Sequence, residues 1–128
     1  MKAITREWVK KAEDDFSVLE RESRVKKNPS YDGICFHAQQ CAEKYLKARL
    51  VEAEKEYSKT HDLNALLDKV ISIEPLWEGF RRSLAFLSDF AISYRYPGES
   101  AVKRDAVMAR KFCRAFRIEA RRVLEMKN

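Results

Sequence analysis

The sequence predicts an all-α fold, an up-and-down bundle of five helices, four long and one short. Three observations carry this. Apolar residues recur at spacings of three and four along most of the chain, and no stretch alternates with the period of two that a half-buried strand requires. Only three glycines and three prolines occur, too few turn residues for a many-stranded sheet protein. The prolines stand between the periodic runs, at Pro29, Pro75 and Pro97-Gly98, so they separate helices rather than interrupt them.

The first helix is expected from about Ala3 to Arg24, with Ile4, Trp8, Ala12, Phe16 and Leu19 as its inward stripe. Asn28 is the expected N-cap of the second, Pro29 its first residue, and Ala53 about its end. Tyr31, Ile34, Cys35, Ala38, Cys41, Ala42, Tyr45 and Leu46 cover nearly half its circumference, which predicts several packing neighbours. Thr60 or Asp62 caps a short third helix carrying Leu63, Leu66, Leu67, Val70 and Ile71. Pro75 opens the fourth, with Trp77, Phe80, Leu84, Leu87 and Ala91 on one face and Phe86 and Phe90 beside it; Pro97-Gly98 stops it. Ser100 is the expected cap of the fifth, which turns Val102, Ala106, Ala109, Cys113, Phe116, Ala120 and Val123 inward.

At 128 residues the chain has the length of one domain, 1–128, and folding is expected to bury roughly two-thirds of its unfolded surface. That is enough core to need neither disulfide nor structural metal. Cys35, Cys41 and Cys113 are odd in number and form no CxxC pair, so reduced thiols are expected. The opening MKAITREWVKKAEDD is charged throughout and reads as no signal peptide. No apolar run approaches the roughly 20 residues that span a bilayer. The expectation is a soluble, cytoplasmic protein with no membrane partner and no cofactor.

The net charge of +6 is concentrated at one end, because residues 100–128 carry nine Lys or Arg against three Asp or Glu. Arg110, Arg114, Arg117 and Arg121 recur at four, three and four, which places them in one row of the fifth helix. Such a row is either a solvated face with stems over apolar surface, or an anion surface for nucleic acid or an acidic partner. On the second helix, His37, Gln40, Lys44 and Lys47 share the face opposite the apolar one, a set able to contact phosphate and base edges. An ordinary wet helix face accounts for them equally. In SYRYPGES, Arg95 lies between Tyr94 and Tyr96, before a Pro-Gly turn and a helix start, where unpaired N–H groups and the helix dipole favour anions. Arg95 is therefore a nucleotide or phosphate contact, or else a cap for the fourth helix.

The segment FHAQQCAEKYLKARL, then THDLNALL, then a helix ending in YRYPGES, resembles the HEPN family, named for a nucleotide-binding domain of higher eukaryotes and prokaryotes. The pattern falls on Phe36, Gln39, Gln40, Ala42, Glu43, Lys47, Ala48, His61, Asp62, Leu63, Arg95, Tyr96 and Pro97, in order and across most of the chain. The resemblance implies a helical bundle, usually a homodimer, often paired with a minimal nucleotidyltransferase as a toxin–antitoxin system. Its active members are metal-independent RNA endonucleases carrying an Arg, four to six residues, then a His, often with a Tyr two further on. This chain has Arg95, but Ser100, Ala101 and Val102 occupy the positions for that His, and no histidine follows His61. Histidine is the natural proton carrier near neutral pH, so the departure predicts a nucleotide- or RNA-binding or regulatory role without the usual RNase activity. An endoribonuclease with an atypical site is the alternative. A third reading takes His37, His61-Asp62 and Asp89 or Asp105 as ligands in the order of HD-type phosphohydrolases, but a helix-capping Asp62 accounts for the pair without a metal. The homodimer also has a ground in the residues: the two-sided second helix and the aromatic fourth present more apolar surface than a small bundle hides.

Overall fold

The computed structural model describes residues 1–91 and 96–126. The elements are α1 (Ala3–Ser23), α2 (Tyr31–Glu52), α3 (Leu63–Val70), α4 (Arg81–Ser88) and α5 (Lys103–Val123), with 3-10 turns at Pro75–Phe80 and Asp89–Ala91 on either side of α4. No strand occurs among the described residues. The all-helical fold is therefore as expected.

α2 is the centre of the bundle and packs against α1, α5, α3 and α4. It is buried on nearly every side, including its polar Gln39, Glu43 and Lys47. The broad apolar surface that suggested a dimer is thus spent inside one chain. α1 is rotated from its expected stripe: Ile4 is exposed, Trp8 and Phe16 are half-buried, and Thr5, Val9, Ala12, Asp15 and Leu19 face inward. The polar residues on that face meet polar partners on α2, which a purely apolar stripe would leave unpaired.

Two caps differ from expectation. Ser30, not Asn28, caps α2: its hydroxyl accepts from the Gly33 N–H at 2.9 Å, while Asn28 takes a left-handed turn conformation (φ 55°). Gly33 belongs there because a Cβ would come within 2.8 Å of that hydroxyl. At α5 the helix begins after Val102 rather than Ser100, with the Asp105 carboxylate accepting from the Val102 N–H at 3.0 Å. Val102 itself is exposed, not inward. Asp32 on α2 accepts the Ala101 N–H at 2.6 Å, which fixes where α5 starts. Asp62, one of the two expected candidates, caps α3.

The fourth predicted helix is broken into three pieces. Its 3-10 opening lets Trp77 and Phe80 both meet Phe116 of α5 edge-on, at centroid distances of 5.1 and 5.2 Å, while Phe86 meets Phe112 at 5.5 Å. Leu76 points outward as a consequence.

Candidate functional site

Three carboxylate centres organise the polar residues of the bundle. The first is Asp15 on α1. One of its oxygens faces His37 Nδ1 at 2.7 Å, and the other accepts Lys44 Nζ at 2.5 Å. A carboxylate oxygen accepts hydrogen bonds, so in this pairing the imidazole is the donor, through Nδ1–H.

The second centre is Glu43, four residues before Lys47. Its Oε2 accepts Lys47 Nζ at 3.0 Å; its Oε1 accepts Gln39 Nε2 at 3.0 Å and faces His61 Nδ1 at 2.9 Å. Gln39 also donates to the His61 carbonyl at 3.1 Å, and Gln40 donates to the Gln39 carbonyl oxygen at 2.7 Å. The Lys47 ammonium lies 5.4 Å from the ring centroids of both Trp8 and Tyr57. The Gln39, Glu43, Lys47 and His61 of the FHAQQCAEKYLKARL and THDLNALL segments are therefore one hydrogen-bonded group tying the α3 start to α2. Among its members only the His61 side chain is open to solvent, 64 % exposed.

The expected wet face of α2 is corrected here. Lys47 is only 6 % exposed, His37 and Lys44 are half-buried against Asp15, and Gln40 is half-buried beside Gln39. The reason is that α1 brings Asp15 and Trp8 across this side of α2, so the side opposite the apolar one is itself an interface.

The third centre joins α5 to α1. Arg117 makes a bidentate pair with Glu13 at 2.6 and 2.7 Å, with its guanidinium 4.2 Å from the Phe16 ring centroid. Arg121 lies 3.4 Å from the same carboxylate and 3.3 Å from the Tyr45 hydroxyl, which donates to Glu13. Arg110 and Arg114 pair with Glu20 at 2.7 and 3.4 Å. Burial works to raise the Glu13 carboxyl, but the hydrogen bonds from Arg117 and Tyr45 outweigh it and hold it below the usual carboxylate range. The same bond to Glu13 pushes the Arg117 guanidinium up. So the four-arginine row is real as a row but is not a free anion surface: it is a ladder fastening α5 to α1, and only its Arg110–Arg114 end is substantially open.

Tyr94 and Arg95 lie outside the described residues, and Tyr96 is exposed. Gly98 completes the turn after Pro97 at φ 87°, a conformation that suits glycine. Lys103 and Arg104 stand exposed in the first turn of α5. The three cysteines are buried. Burial, with Asp105 and Asp32 nearby, pushes the Cys35 thiol up to about 12, and burial beside Cys113 raises Cys41, so neither is a ready nucleophile. His37 and His61 turn to different carboxylates, Asp105 serves the start of α5, and no group of three or more potential metal ligands gathers among the described residues. That arrangement gives the HD-type ligand set no common centre.

Sequence reasoning singled out the cations and Glu43 but not the acceptors on α1. Glu13, Asp15 and Glu20 carried no motif; the signals available were an aspartate at the position of α1 where the inward stripe continues and the four-residue Glu43–Lys47 spacing. No helix among the described residues is long and apolar enough to cross a membrane.

Comparison with curated proteins and with solved structures returned no match. A family model described as the HEPN domain matches residues 5–125, nearly the whole chain. The chain belongs to the HEPN family of helical domains, a membership that points to nucleotide- or RNA-related work.

Proposed function

We propose that this chain is the nucleotide- or RNA-binding, or regulatory, member of a HEPN–nucleotidyltransferase pair of the toxin–antitoxin type, acting in the cytoplasm without the usual RNase activity. The observation that carries the reading is the state of its histidines. Ser100, Ala101 and Val102 stand where the family's active members carry one, and the two histidines present each face a carboxylate on α1 or α2. Contact with nucleotide or RNA is assigned to Arg95 with Tyr94 and Tyr96, joined by the exposed Arg104. In this reading Arg110, Arg117 and Arg121 act mainly in fastening α5, while His37, Gln40, Lys44 and Lys47 hold α2 to its neighbours.

Binding of a labelled single-stranded RNA, followed as salt is raised, tests it. Affinity is expected to fall steeply with salt, and Arg95→Ala is expected to weaken binding about ten-fold and to reduce the salt slope by about 1, as for a lost phosphate contact. Its melting temperature should stay within a few degrees of the parent. An Arg95→Ala protein that unfolds, with a parent that binds no RNA, would make Arg95 a structural cap and end the assignment.

A homodimer belongs to the same reading, now on the ground of the apolar side chains still open at Leu76, Tyr96 and Val102. Sedimentation at micromolar concentration should show a species of twice the 15.0 kDa chain. A 15.0 kDa species alone removes the dimer.

One observation favours a second reading. His61, exposed and with Nδ1 on the buried Glu43, has the posture of a histidine oriented by a carboxylate, and that is the geometry of a proton-transfer group. The endoribonuclease alternative would run through it.

A further inference from the structure

Besides its core face, α5 carries exposed aliphatic residues on the side that looks over the segment joining α1 to α2, and a groove of ≈ 780 Å³ lies between that segment and the helix. Val107, Lys111, Arg114 and Ile118 recur at four, three and four, so they form one continuous strip of the helix. Val107 and Ile118 are 59 % and 53 % exposed, and Val25 closes the groove from the other side. The remaining charged groups lining it, like Lys111 and Arg114, are all cations, and no Asp or Glu lines it. Behind the rim, Glu20 accepts two hydrogen bonds from Arg110 and lies 3.4 Å from Arg114. The groove therefore combines exposed aliphatic side chains with a positive rim.

Three occupants compete for such a surface. A second copy of the chain would lay Lys26, Lys111 and Arg114 against the same residues of its twin, and like charges facing each other oppose that pairing. RNA would satisfy the rim but waste the aliphatic part, since its phosphates would lose water over Val107 and Ile118 and one tyrosine is the only aromatic face for stacking. An acidic amphipathic helix uses both parts. Its aliphatic side chains, three and four residues apart, cover Val107 and Ile118, and its flanking carboxylates meet the rim.

We propose that this groove is the docking seat for an acidic amphipathic helix of a partner protein. The inference rests on the reading above only in that the chain works with a protein partner; it does not depend on whether RNA is bound or cleaved. The probe is a labelled peptide of about 18 residues, long enough to hold a helix, with leucines at helical spacing among glutamates. A scrambled peptide of the same composition is its control, and an oligouridine is the RNA arm. The patterned peptide is expected to bind at least about ten-fold tighter than the scrambled one, the worth of two aliphatic contacts withdrawn from water. The double substitution Val107→Asn, Ile118→Asn keeps every charge; it should abolish that preference, leave oligouridine binding unchanged and leave the melting temperature close to the parent's. Equal binding of the two peptides overturns the proposal, as does a peptide preference that survives the double substitution. Loss of oligouridine binding in that variant, in step with the peptide, assigns the groove to RNA and overturns it equally. The two peptide comparisons say nothing about whether Arg95→Ala weakens RNA binding, so the docking proposal and the functional reading fail separately.

Discussion

Glu43→Ala is expected to cost about 3–5 kcal/mol of folding stability, because it strands a buried ammonium without its counter-charge. The Glu43 side chain is 4 % exposed and spends both oxygens, one on Lys47 and one on Gln39 and His61. The Lys47 side chain is only 8 % exposed between the Trp8 and Tyr57 rings, and those rings supply only part of what the carboxylate gave. Gln39 is less affected, since it keeps its bond to the His61 carbonyl. The pair as a whole is a different matter. Two charges taken out of water recover little more than their desolvation, so Glu43→Leu combined with Lys47→Met should restore most of the loss. Urea unfolding of the parent, the single variant and the double variant decides it through the transition midpoints. A single variant within about 1 kcal/mol of the parent would mean Lys47 finds solvent after all. A double variant as weak as the single would show that Gln39 and His61, not Lys47, need the carboxylate.

The second large effect concerns catalysis. In EDTA the purified protein is expected to cleave single-stranded RNA no faster than buffer does. An arginine can stabilise phosphate charge, but a site without a positioned acid or base forfeits roughly 10²–10⁴-fold in rate. Ser100 is no substitute, because a hydroxyl needs a base beside it to carry a proton, and no histidine lies in residues 96–126. His37→Ala and His61→Ala complete the assay. His37 has Nδ1 on Asp15 in a half-buried setting shared with Lys44, whereas His61 combines an oriented Nδ1 with an exposed ring. His61→Ala is therefore the more telling control. Cleavage abolished by either substitution would make the chain an endoribonuclease with an atypical site. Cleavage that needs an added divalent metal would revive the HD-type reading.

What the sequence alone determined was local. The three-and-four spacing of apolar residues, with prolines between the runs, was sufficient for five helices and for most of the α2 and α5 core, because helix period and helix breaks depend on neighbours within a few residues. The family pattern was likewise legible, since it is a pattern of order and spacing. Even locally there were limits: Ser30 took the cap from Asn28, and the Trp77 and Phe80 contacts with Phe116 broke the fourth helix into turns. What only the tertiary structure decided was which charges face water. Lys44, Lys47, Arg117 and Arg121 look on a helical wheel like an outward polar surface; Asp15, Glu43 and Glu13 make them ties between helices, and Glu13 stands 104 residues from Arg117 in sequence. A helical wheel gives the angle of a side chain about its own axis but not the neighbour that lies there. The groove between α5 and the α1–α2 segment exists for the same reason. Its two walls, one on α5 and one at Val25, Lys26 and Pro29, come from distant parts of the chain, and only packing on α2 sets them side by side.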